Sequence, residues 1–384
     1  MTKISFIAVV GIVALSVVSC KPEGCTDESA TNYDSKAKKN DGSCTYETTY
    51  EVPTTYSFER DGASSVSFSG QTARMDMLGE LVVLMKTANT PGVALSAQDM
   101  LDMFSNSNSP FSDTSLNASS KQLKNKTAGG DATVTSVFEG YMNRLAAISA
   151  RTSPSNFDGR NGIDGVVQSG TKQYLLDTSG VEYTQLIEKG LMGAVFYHQI
   201  QTGYLGVDKM NVDNETLVDG KNYTTMEHHW DEAFGYFTDA IDFPLNGTDR
   251  FWGKYCDARD EELGCNATIM NAFLRGRAAI SNNDMDTRDA QIVLIRNELQ
   301  KVVITTAINY LKEAKSNLPN DALRNHSLSE AVTFIDAIQY SHSPALSDAA
   351  RNTLVSTIGD NFYEVKSSHI DIAISTLNAK LYAL

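Results

Sequence analysis

The chain has 384 residues, with 47 Asp and Glu against 32 Lys and Arg, giving a formal net charge of −15. An acidic excess of this size argues against nucleic acid or an anionic surface as a partner. The length suffices for one large domain or two domains with substantial cores.

The first predicted element is a leader. MTKISFIAVVGIVALSVVSC carries one Lys, an apolar run from Ile4 to Val18, and then Ser19 and Cys20. The run is too short to cross a bilayer and its flanks suit a signal peptide. Val17-Val18-Ser19-Cys20 resembles a bacterial lipobox. Residues 1–19 are therefore expected to be removed, and Cys20 to be lipidated. Its acyl chains would anchor the protein to a membrane, on the periplasmic or cell-surface face of the bacterial outer membrane. An ordinary secretory signal with an incidental Cys is the alternative.

Residues 20–50 read as a separate spacer, rich in Asp, Asn, Ser and Gly, with a turn at Asp41-Gly42. Export permits disulfides, and Cys25, Cys44, Cys256 and Cys265 remain once Cys20 is set aside. The short separations pair Cys25 with Cys44 and Cys256 with Cys265. The spacings are not those of a paired C-x-x-C zinc site. Gly24-Cys25, Asp27, Ala30, Asn32-Tyr33, Ala37, Asp41 to Cys44 and Tyr46 resemble small Cys-bounded modules on exported proteins of the Bacteroidota.

Residues 51–384 are expected to form the main domain. YEVPTTYSFERDGASSVSFSG alternates apolar and polar residues around Arg60-Asp61-Gly62, which predicts a short hairpin. Beyond Gln71 the apolar period becomes helical: Met77, Leu78, Leu81, Val82, Leu84 and Met85 share a broad face. Ser96 and Asp99 suggest a cap before MLDMF. Helical spacing returns over 131–151, 181–204, 222–240, 266–280, 286–316, 321–340, 346–358 and 368–383. The stretch from about 152 to 180 reads as one long connection. The fold class is all-α, a two-lobed helical bundle behind a short N-terminal hairpin and a disulfide-closed module.

Two segments repeat. HHWDEAFGYFTDAI at 228–241 and HSLSEAVTFIDAI at 326–338 both read H-x-x-x-E-A, then an apolar stretch, then D-A-I. His228 matches His326 and Glu232 matches Glu330. On a helix, positions i and i+4 share a face, so each His and Glu can point the same way. Adjacent residues point about 100° apart, so His228 and His229 cannot face one site equally.

With SFSGQTARMDMLGEL, MEHHWDEAFGYF, FLRGRAAI and RNHSLSEAVTFI, the chain resembles imelysin-like lipoproteins. It is most similar to the Bacteroidota family catalogued as domain of unknown function 4856, from about residue 55 onward. The resemblance implies an all-α fold of two halves related by pseudo-symmetry, with a site between them. Imelysin-like proteins are associated with iron uptake and carry G-x-H-x-x-E. His229 and Glu232 fill its His and Glu, while Glu227 replaces its Gly.

The candidate metal ligands are thus His228, His229, Glu232, His326 and Glu330. Imidazole and carboxylate suit Fe or Zn. Arg275, Arg277 and His198 are candidates for the surrounding shell, the arginines as partners of buried acids, with Gly276 allowing a close approach. Trp230, Phe234, Tyr236 and Phe237 read as packing. No zincin helix, nucleophile elbow or phosphate loop is present. The functional expectation is a lipid-anchored, exported binding protein for metal acquisition, with an outer-membrane iron-uptake receptor as its partner. The alternatives are a metal-dependent, peptidase-like hydrolase on the same cluster and a surface protein binding glycan or a receptor.

Overall fold

The computed structural model describes residues 22–46, 50–153 and 157–384. The leader and Cys20 lie outside the described residues. The chain divides into two compact units, Met1–Glu47 and Thr48–Leu384.

In the first unit, β1 (Glu23–Gly24) and β2 (Lys39–Asn40) pair in parallel. The expected Cys25–Cys44 disulfide is present. The motif residues staple the loop shut. The Asn32 amide donates to the Ser43 carbonyl and its oxygen accepts from Thr45 N–H, each at 2.7 Å. The Tyr46 hydroxyl donates to Asp27 at 2.6 Å. A segment this small lacks apolar surface for a core of its own, so cross-links carry its shape.

The second unit opens with the expected hairpin, β3 (Glu59–Arg60) and β4 (Ala63–Ser64). Asp61 and Gly62 turn it, at φ of 53° and 76°. Next come α1 (Ser69–Lys86), α2 (Ala97–Ser105), α3 (Thr114–Ala118) and α4 (Ala132–Ser149). Ser96 caps α2 by accepting from Asp99 N–H.

The connection from 152 to 180 is not structureless. It holds an antiparallel hairpin, β5 (Gly165–Ser169) and β6 (Lys172–Leu176), joined through Gly170 at φ 61°. Two residues between two short runs are a hairpin signal that the surrounding polar loop concealed.

The chain continues through α5 (Tyr183–Leu191) into two π-helical turns, Met192–Tyr197 and Gln199–Tyr204. Wide turns of this kind are rare and disturb the regular carbonyl ladder. Here Arg296 donates to the carbonyls of Gln201 and Leu205, at 3.0 and 2.9 Å.

After α6 (Val207–Met210) comes α7 (Thr225–Phe237), whose start is a capping box. Thr224 Oγ1 accepts from Glu227 N–H, and Glu227 Oε2 accepts from Thr224 N–H. α8 (Phe251–Leu263) is a helix that apolar spacing did not announce. Its buried residues crowd its first half, and DARDEEL completes it with polar side chains. Then follow α9 (Cys265–Ser281), α10 (Met285–Ser316), α11 (Asp321–Ala337), α12 (Asp348–Ile358) and α13 (Ser367–Leu381).

α10 packs against both α9 and α11, α5 packs against α11, and the second π turn packs against α7. One continuous apolar core runs through the second unit. Trp230, Phe234, Tyr236 and Phe237 are buried in it as packing, as the sequence suggested.

The expected bond between Cys256 and Cys265 is not formed. The two are buried free thiols with sulfurs 3.2 Å apart, and Cys265 Sγ donates to the Cys256 carbonyl at 3.1 Å.

Gly276 permits the approach foreseen for it. A methyl group there would lie 2.0 Å from Cζ2 of the buried Trp230. The indole N–H donates to Phe273 O at 3.0 Å, which fixes the ring against α9. Gly276→Ala is therefore expected to destabilise the protein by ~1–3 kcal/mol or more, through overpacking. Urea unfolding reads this, and an unchanged midpoint would show that the indole moves freely.

Candidate functional site

The two His/Glu pairs occupy different surroundings. α11 carries His326 and Glu330 into a cavity of about 520 Å³. Lys86 of α1, Lys172 and Tyr174 of β6, Glu188 and Lys189 of α5, Lys254 and Tyr255 of α8, and Tyr310 and Glu313 of α10 share its lining, with Glu182 just ahead of α5. No residue of α7 lines it.

Inside, charges alternate along a chain. Glu182 Oε2 lies 2.6 Å from His326 Nδ1, and Glu330 Oε2 lies 3.3 Å from His326 Nε2. The Lys189 ammonium is 3.7 Å from Glu330 and 2.6 Å from Glu188, which Lys86 reaches at 3.3 Å. Tyr174 stacks on the His326 ring, with centroids 4.1 Å apart.

This arrangement sets protonation. Burial works against the His326 imidazolium, but the Glu182 carboxylate and then Glu330 outweigh it, and the pKa rises. Burial likewise opposes the Lys189 ammonium and is outweighed by Glu188 and Glu330. Burial raises Glu330 above the usual carboxylate range, despite Lys189 and His326. Tyr174 is pushed up to about 12 by burial and the charges of Glu182 and Glu330.

α7 holds the other pair. His228 Nε2 lies 3.8 Å from Glu232 Oε2, and Tyr223 stacks on His228 with centroids 4.7 Å apart. The repeat is therefore structural as well as sequential: each His is one turn before its Glu and lies under a tyrosine ring. Glu232 Oε1 accepts from Gln71 at 2.8 Å. His229 turns away from that pair. Its Nδ1 donates to the Lys209 carbonyl at 2.8 Å, leaving Nε2 as acceptor toward Lys209 Nζ at 3.4 Å. Burial lowers its pKa, so the ring is neutral.

The donor sets do not fit a metal ion. Among the described residues no group of three or more His, Cys, Asp or Glu is arranged to hold one. At α11 the two carboxylates face opposite nitrogens of one ring, which suits an imidazolium rather than a shared centre. The Lys189 ammonium beside Glu330 repels a cation. The expected ligand set shared across the two helices is thus not gathered around one point.

Glu227, which stands where the iron-associated pattern has Gly, has a structural task. It is buried, accepts two hydrogen bonds from Arg60 at 2.9 and 2.8 Å, and accepts one from Arg277 at 2.8 Å. Arg277 Nε also donates to Asp231 at 3.0 Å, so this arginine does pair with buried acids. Burial opposes ionisation of Glu227, but Arg60 and Arg277 hold it at about 2. Burial raises Asp231 to about 6, against the pull of Arg277. Arg275 is buried with its charge near Asp284. His198 lies between the two π turns, against Gly129 and Tyr340, and takes no part in the cavity.

Among the cavity residues that the sequence left unread are Glu182, Glu188, Lys189 and the three tyrosines. One signal was present. Glu188 and Lys189 interrupt a segment, LIEKGLMGAVF, that is otherwise apolar on every face. Charged residues in such a place must be paired inside the fold.

The match to known proteins now has its context. The family model described as domain of unknown function (DUF4856) matches residues 53–369. The chain belongs to this DUF4856 family. No curated protein and no solved structure matches it. The matched span covers both His/Glu helices and every residue lining the cavity.

His326 provides a test through pH. Its pairing with Glu182 stabilises the fold fully below the unfolded value of 6.5, and this contribution is lost as pH rises through the elevated folded value. Urea unfolding of the protein and of His326→Gln should give a stability gap that is wide near about pH 6 and narrows toward about pH 9. A constant or widening gap would show that the imidazolium is not the stabilising species.

Proposed function

We propose that this protein is a lipid-anchored, exported binding protein whose ligand is a small zwitterion. The observation that carries the reading is the balance of charge around the cavity. Four lysines and four glutamates line it together with His326, although the chain as a whole bears a net charge of −15. A site selected for a cation would be lined mainly by acids, and a site for an anion mainly by bases. Fixed charges of both signs at close quarters suit a molecule that carries both. Tyr174, Tyr255 and Tyr310 add apolar faces with polar tips, the usual means of orienting a small solute. Each charged group along the inner chain is already neutralised by a neighbour, which favours recognition over proton transfer.

The apolar run Ile4–Val18 followed by Cys20 supports export and anchoring at the outer membrane. Among the described residues no helix is long and apolar enough to cross a membrane. Cys20→Ala is expected to abolish incorporation of labelled fatty acid when the full chain is expressed in a bacterium that processes lipoproteins. Retained labelling would place the anchor elsewhere.

Calorimetry on protein lacking residues 1–21 tests the ligand. Free amino acids, di- and tripeptides and betaines form one arm, and Fe and Zn salts the other. Binding of a zwitterion is expected, weakened by about tenfold or more in Glu330→Gln, the scale of one lost charged hydrogen bond. Silence from every zwitterion sinks the proposal, as does binding unaffected by Glu330→Gln. Metal binding that depends on His326 and Glu330 would replace it with the metal reading.

A further inference from the structure

The α7 face carries a second constellation, separate from the zwitterion cavity. Four cations converge there: Arg74, Lys121, Lys126 and Lys209, with Arg74, Lys209 and Lys121 all adding positive potential at Lys126. In a chain with 15 more acids than bases, such a group calls for counter-charge. Glu232 is the acid that acts most on Lys126.

The hydrogen bonds of these cations go to neutral acceptors. The Lys126 ammonium donates to the Tyr204 hydroxyl at 3.0 Å. Lys209 Nζ faces the neutral His229 Nε2 at 3.4 Å. Arg74 donates to the carbonyls of Gln122 and Gly70, at 2.9 and 3.1 Å. Lys121 lies across Gly70, its Cε within 2.8 Å of where a methyl group would stand. Burial first, and then Arg74, lowers the Lys126 pKa, the mark of a cation lacking sufficient negative charge nearby.

The fully buried Tyr236 hydroxyl lies beside Arg74 and Glu232, with Arg74 hydrogen-bonding to it. One further atom points to an unmet partner. His228 Nδ1 is a buried nitrogen without a hydrogen-bond partner. A buried polar group without a partner costs ~1–3 kcal/mol, so its presence calls for an explanation such as a bound group. Solvent reaches this face, since the side chains of His228 and Glu232 are 31% and 17% exposed.

We propose that the α7 face binds an oxyanion, the carboxylate or phosphate of a small solute, held by Lys126, Lys209 and Arg74 beside His228. Lysine ammoniums act as point charges toward such a group, and the guanidinium gives it directed donors. Glu232, held by Gln71, cancels one charge and leaves the surplus positive.

Inorganic phosphate and citrate serve as probes for calorimetry on protein lacking residues 1–21, at low ionic strength with a chloride control. Phosphate binding with citrate silent identifies a phosphate ligand, and the reverse identifies a carboxylate. Lys126→Gln and the exposed Lys209→Gln are each expected to raise Kd about tenfold or more. His326→Gln, which alters only the cavity at α11, should leave this Kd within about twofold. Circular dichroism confirms that each variant is folded. Neither probe binding above the chloride control overturns the proposal. So does binding that survives both lysine substitutions. Because His326→Gln and Glu330→Gln report on the other cavity, failure here leaves the zwitterion reading standing, and the reverse holds too.

Discussion

A buried guanidinium organises the larger unit. Arg277, fully enclosed, donates to Glu227, Asp231, Ser281 and the Ser65 carbonyl, and its guanidinium carbon lies 5.0 Å from the centre of the Phe58 ring. Asp231 in turn accepts from the Tyr56 hydroxyl at 2.8 Å and from Ser67 N–H at 2.9 Å. One cation therefore ties the N-terminal hairpin, α7 and α9 together. Removing one member of such a set leaves an uncompensated charge in the core, at a cost of about 3–5 kcal/mol. The geometry of α7 follows from this anchor. With Glu227 and Asp231 fixed inward, helical periodicity turns His228 and Glu232 about 100° away from them, toward a wetter side.

The same logic explains why one turn of His and Glu gives two unlike sites. At α11 the pair meets Glu182 and Lys189 and becomes part of a buried chain of alternating charges. At α7 it meets Gln71 and a cluster of cations. The stretch from α5 through the π turns serves both, with Lys189 at one end and Tyr204 near the other. At ~1.5 Å per residue these two side chains stand on the order of 20 Å apart along it. The same His/Glu turn recurs, and its neighbours decide the chemistry.

Much of this was legible in the primary structure, for reasons that can be named. Long amphipathic runs such as α10 carry their own period, and the Asp61-Gly62 hairpin carries its own turn chemistry. The disulfide of the first unit follows from two cysteines in a short polar loop. The pairing of Arg277 with buried acids was signalled by an arginine amid apolar residues. What escaped is instructive. α8 has apolar residues for only half its length, so no period identifies it. β5 and β6 are five residues each, within a loop whose composition outweighs their alternation. The cavity joins residues as distant as Lys86 and Glu330, and such convergence is a property of packing that no local window contains. The expected Cys256–Cys265 bond is absent although the two sulfurs lie 3.2 Å apart, because proximity alone does not make a bond.

One wall of the cavity differs in kind from the rest. α1, α5, α8, α10 and α11 are helices, whereas Tyr174 and Lys172 ride on the two-stranded β5–β6 ribbon, which lends Val166 and Leu175 to the same core. A ribbon of two strands has little cooperativity of its own. Val166 and Leu175 supply the rest from the common core, so the ring that stacks on His326 and the acids that pair with it are held by one packed unit.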